Sequence, residues 1–94
     1  MLVLITYDVS TVSKAGARRL RRIARACQDY GQRVQNSVFE CRVDQKNWAL
    51  LRDRLLTEMN PKEDSLRFYF LESDTLIEHF GTKAIVDLES PLIF

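Results

Sequence analysis

The segment "LVLITY", residues 2–7, constrains the fold more than any other part of the chain. Read as a strand, it is apolar on both alternating faces. Leu2, Leu4 and Thr6 share one face; Val3, Ile5 and Tyr7 share the other. Such a strand needs cover on both sides. It then ends on a lone carboxylate, Asp8, ahead of the polar loop "VSTVS". Two readings of Asp8 follow. It is a cap or turn residue, a common position for Asp at a loop start. Or it is a metal ligand or acid/base group at the mouth of a site. The residues alone leave the choice open.

The rest of the chain supplies the partners of that strand. Residues 14–30 form a predicted helix, with Ser13 as its cap and Leu20, Ile23, Ala24, Cys27 and Tyr30 as its buried stripe. Gly31 stops it. "RVQNSVFECRV", residues 33–43, is extended, either as one bent strand or as two short ones joined at Asn36–Ser37. A second helix covers residues 45–59, with Trp48, Leu51, Leu55 and Met59 on one face and Pro61 beyond its end. "SLRFYFLE", residues 65–72, is a strand, and "LIEHFG" reads as a short edge strand. The order β-α-β-β-α-β, with an extra strand at the end, is the split βαβ pattern of an α+β, ferredoxin-like fold. It places both helices on one face of a four-stranded antiparallel sheet. The other face would then expose Val, Ile and aromatic surface, roughly several hundred Å2, which soluble monomers avoid. The simplest cover is the sheet of a second copy across a two-fold axis, a face-to-face homodimer. The tail 84–94 is too apolar to hang free and is expected to pack on the partner chain.

Composition narrows the class. The chain has 94 residues, enough for a single domain spanning 1–94, and 46% of them are hydrophobic, which excludes a disordered chain. No apolar run reaches the roughly 18 residues of a membrane span. No basic stretch precedes the first strand, so no secretory leader is read. Cys27 and Cys41 are isolated and read as core thiols in a reducing cytoplasm, and the lone His79 builds no metal site. There is no Walker loop, GxGxxG or zinc spacing.

The net charge of +1 conceals an asymmetry. Residues 14–33 hold seven basic side chains (Lys14, Arg18, Arg19, Arg21, Arg22, Arg25 and Arg33) against one acid, Asp29. Six of the seven lie on the first helix. Charge runs usually mark a solvated face. Here the arginines lack i,i+4 Glu partners, which favours contact with a polyanion, since Arg forks match phosphate geometry. Phe39, Tyr69 and Phe70 offer base-stacking surface, but their periodicity places them in the core and no RRM signature is present.

Three pieces together carry a resemblance: "LITYDVS" at the first strand end, the arginine-bearing helix closing on "YGQRVQNSVFEC", and "SLRFYFLE". They resemble the small CRISPR-associated adaptation protein, the dimeric partner of the CRISPR integrase. "IVDLESPLIF" resembles the tail of one branch of that family. The likeness covers nearly the whole chain. It implies a ferredoxin-like homodimer with packed sheets. It implies that Asp8 of each chain holds a shared Mg2+ near the two-fold, and that Tyr7, Arg33 and Phe39 fall on positions tied to nuclease activity. The basic residues Lys14, Arg18, Arg19, Arg22 and Arg25 match a nucleic-acid-binding surface. The implied function is a CRISPR adaptation subunit that holds double-stranded spacer DNA and bridges integrase dimers. Family members are Mg2+-dependent endonucleases, some cutting single-stranded RNA and some double-stranded DNA. The alternatives are a ferredoxin-like endoribonuclease toxin and a purely non-catalytic DNA-binding scaffold.

Overall fold

A computed structural model describes residues 1–81; the tail 84–94 and its expected packing lie outside the described residues. The elements are β1 (Leu2–Asp8), α1 (Lys14–Tyr30), β2 (Gln32–Gln35), β3 (Val38–Arg42), α2 (Gln45–Glu58) and β4 (Ser65–Leu71). All strand pairs are antiparallel, in the order β2-β3-β1-β4. This is the expected ferredoxin-like arrangement, with β1 central. The 33–43 stretch is two strands turning at Asn36–Ser37, and the ladder slips between Arg33 and Gln35.

The helices cover one face. Val3, Ile5 and Tyr7 of β1 and Phe39 and Cys41 of β3 pack with Ile23, Ala26 and Cys27 of α1 and Trp48, Leu51 and Leu55 of α2. Each large aliphatic side chain removed from water here is worth about 1.5–3 kcal/mol. Burial pushes the Cys27 and Cys41 thiols up to about 12, so both stay protonated and inert at neutral pH. Ser13 caps α1 by accepting a hydrogen bond from the Gly16 amide at 3.1 Å, and Asp44 caps α2 by accepting from Asn47 at 2.7 Å. Gly31 ends α1 for a reason of space. Its backbone is extended, and a Cβ there would strike the Cys41 sulfur and the Glu40 carbonyl.

The opposite face carries Leu2, Leu4, Thr6 and Asp8 from β1. Beside them stand Val38, Glu40 and Arg42 on one side and Ser65, Arg67, Tyr69 and Leu71 on the other. This face is more mixed than the expected Val, Ile and aromatic surface, because Val3, Ile5 and Phe39 all point to the helices. Leu4 and Thr6 are half-buried, and Tyr69 is 39% exposed with the Arg67 guanidinium 5.3 Å from its ring centre. Leu2 is buried at the end where Arg42 donates a 2.9 Å hydrogen bond to the Ser73 carbonyl.

"LIEHFG" forms no strand in the described chain, contrary to the sequence reading. The β1–β4 ladder ends at Leu2–Leu71, and a turn closed by the Thr75 amide on the Glu72 carbonyl follows. The chain then leaves the β4 edge, and residues 77–80 line a shallow cleft of about 310 Å3 with Val34, Gln35 and Glu40.

Candidate functional site

The fold sorts the four strand-borne candidates onto two sides of one sheet. Side chains alternate along β1, so Tyr7 points to the helices and Asp8 to the open face. Asp8 is the last residue of the central strand, exposed, and among the described residues paired only with Ser65 of β4. Among the described residues no three His, Cys, Asp or Glu side chains gather as a ligand set. At the end of β1 the chain presents the Asp8 carboxylate. That donor set suits a hard cation that keeps its waters and takes one or two carboxylates, and it does not suit zinc or a thiolate-bound metal.

Tyr7, Phe39 and Arg33 come together on the helix side. The Tyr7 and Phe39 rings stack at 6.2 Å with 22° between planes, and the Arg33 guanidinium lies 5.1 Å from the Phe39 ring centre. Phe39 is fully buried and Tyr7 nearly so. Tyr7 donates a 3.3 Å hydrogen bond to the Asn36 carbonyl. Burial raises its phenol above the usual value, with Cys27 adding to the rise and Arg33 opposing it. The buried Arg33 Nε has no hydrogen-bond partner among the described residues. The geometry joins these three residues to one another and sets them behind β1, away from the Asp8 carboxylate.

The basic residues of α1 also divide. Lys14, Arg18, Arg22 and Arg25 are exposed on the helix layer. Arg22 reaches Glu58 at 3.7 Å, and Arg25 reaches Asp29 at 3.8 Å, an i,i+4 partner visible in the sequence. Asp29 also takes Arg54 at 2.7 Å. Such exposed pairs are worth ~0–1 kcal/mol and leave the cations available to phosphate. Arg19 differs. Its side chain is 15% exposed and bound to Asp64 at 2.8 Å and Glu63 at 3.0 Å, so its guanidinium is already occupied. Nothing local in the sequence marks Asp64. Its side chain is fully buried and also accepts from the backbone amides of Ser10 and Asn60. The Arg19 guanidinium, helped by those two amides, holds its carboxyl below the usual carboxylate range.

The family model described as CRISPR associated protein Cas2 matches residues 1–77. The CRISPR-associated endoribonuclease Cas2 of Chlorobaculum tepidum is 63% identical over 95 residues, covering 99% of each chain. The CRISPR-associated endonuclease Cas2 of Halalkalibacterium halodurans is 55% identical over 96 residues, covering 100% of each. The crystal structure of Streptococcus pyogenes Cas2 superimposes with a TM-score of 0.76 at 48% identity, covering 86% of this chain and 100% of that one.

Proposed function

The chain belongs to the CRISPR-associated Cas2 family, and on that premise we propose that it is a Mg2+-dependent endonuclease that also binds duplex DNA as a subunit of spacer acquisition. The observation that carries this reading is the position of Asp8. It stands exposed at the end of the central strand, on the face the helices leave open. A second copy packed on that face through a two-fold would set two Asp8 carboxylates together. The half-buried Leu4 and Thr6 and the partly exposed Tyr69 and Leu71 supply the apolar part of such an interface. Mg2+ bound there would polarise a phosphodiester and acidify a water molecule. The rest is done by the chain. Asp8 would hold the cation, and the ladder with β4 holds the backbone of Asp8. The exposed Lys14, Arg18, Arg22 and Arg25 hold phosphates on the opposite layer. The integrase subunit is the partner the family resemblance implies, and bridging it is the part of the role that needs no catalysis.

The test is a cleavage assay on single-stranded RNA and on double-stranded DNA, each with Mg2+ and with chelator. Cleavage of either substrate only with Mg2+ supports the nuclease reading. No cleavage of either, with duplex binding retained, replaces it by the non-catalytic scaffold. Growth arrest on expression, with RNA cut and no duplex binding, replaces it by the toxin.

Two further outcomes are expected. Leu4→Arg puts a charge in the middle of the open face and should convert a dimer to a single-chain mass by light scattering. A wild-type protein that already scatters as one chain at every concentration overturns the dimer. Arg18→Ala with Arg22→Ala should weaken duplex binding and flatten the slope of log K against log salt by about one to two units, at ~0.9 per phosphate contact. An unchanged slope returns the basic helix to a solvated face.

A further inference from the structure

We infer that Asp64 and Arg19 form a clip that positions Asp8, an inference that rests on the metal-ligand reading of Asp8. The Asp8 side chain stands in solvent, so its placement depends on the backbone to either side. On the strand side, β3 stops short. Its ladder with β1 ends at Thr6–Val38, with the Tyr7 amide then donating to the Ser37 carbonyl at 3.1 Å. Among the described residues only Ser65 of β4 pairs with Asp8 itself. Beyond the strand, the backbone of Ser10 is held from both directions. Its amide donates to Asp64 Oδ1 at 3.2 Å, and its carbonyl lies so close to Gly16 that a Cβ there would strike it. Asp64 immediately precedes Ser65, so one short segment grips the chain at Asp8 through the ladder and at Ser10 through a side chain.

Asp64 can do this because it is itself over-determined. Arg19 Nε donates to Oδ2 at 2.8 Å, and Arg19 also donates to Oδ1 at 3.3 Å. The Asn60 amide donates to Oδ2 at 2.8 Å, closing the turn after α2 on the same carboxylate. A fully buried carboxylate with four donors is fixed in one orientation, and it transmits that orientation to the loop after Asp8. Arg19 thus links α1, the α2–β4 turn and the β1–α1 loop at one point, and Asp64 and Arg19 are positioning residues.

The test is Mn2+ binding to the full chain, read by electron paramagnetic resonance of the free ion, together with the Asp8 carboxyl carbon signal by NMR. Asp64→Ala should weaken Mn2+ binding by about tenfold or more, as loss of a ligand's supporting partner does, and should shift the Asp8 signal. It should lower kcat with little change in KM. Arg19→Lys, which keeps the charge but not the fork, should show both effects only in part, and circular dichroism checks that each variant is folded. Should Asp64→Ala not fold, Arg19→Gln and Ser10→Pro, which deletes the donated amide, take its place. A folded variant with wild-type Mn2+ affinity and an unmoved Asp8 signal overturns the clip. Asp8→Asn is the control for the underlying reading. If it binds Mn2+ like wild type, the metal assignment falls by itself, and the Asp8 carbon signal in Asp64→Ala still decides whether the clip holds that residue in place.

Discussion

Asp8→Asn is expected to abolish Mg2+-dependent cleavage while leaving the fold and duplex binding in place. The change is isosteric, and the side chain is exposed, so no core contact is lost. The backbone pairing of residue 8 with Ser65 does not involve the side chain. What disappears is the Asp8 carboxylate at the end of the central strand, and a neutral amide is a poor ligand for a hard dication. Duplex binding should persist because the cations proposed to meet phosphate, Lys14, Arg18, Arg22 and Arg25, lie on the helix layer, across the sheet from Asp8. The measurement pairs a cleavage assay with a binding titration and a thermal melt on the same preparation. Full residual cleavage would make Asp8 a turn residue. Loss of duplex binding would show that metal and nucleic-acid surfaces are one surface.

The largest effect on stability is expected from Phe39→Ala. Phe39 is fully buried, stacked on Tyr7 and capped by the Arg33 guanidinium. Removing the ring leaves a cavity beneath α1 that a close-packed core closes only in part, at a cost of about 3–5 kcal/mol. For a domain whose whole stability is of order 5–15 kcal/mol, that is enough to populate unfolded chain at physiological temperature. It also strips Arg33 of the ring it lies over, next to a buried Nε with no hydrogen-bond partner among the described residues. A nuclease deficit in Phe39→Ala should therefore track its lowered denaturant midpoint, and Phe39→Leu should restore most of both. Activity lost in a variant as stable as wild type would instead tie Phe39 directly to the reaction.

The two helices, the central doubly apolar strand and the antiparallel order were legible because each rests on local rules. Periods of 3.6 and 2 locate Ile23, Cys27, Leu51 and Leu55 on helix faces and Val3, Ile5 and Phe39 on strand faces, and every one of them is in the core. Ser13 and Pro61 mark helix ends by the same local chemistry. Asp8 was legible as an oddity, a charge closing an apolar strand.

Other features depended on residues far apart in sequence. The arginines of α1 looked alike in the chain, yet Arg19 is taken by Asp64, 45 positions away, while Arg18 stays exposed. Strand alternation alone set Tyr7 and Asp8 on different sides, but only the packed sheet showed that Tyr7, Arg33 and Phe39 meet behind β1. "LIEHFG" has the apolar content of a strand, but a strand exists only where a neighbour supplies a ladder, and the turn after Leu71 carries it away from β4. Sequence determined which residues prefer which local geometry, because propensity and periodicity act within a few residues. Tertiary structure alone decided which charges are free and which are held, because an ion pair depends on distance in space, and chain separation does not encode it.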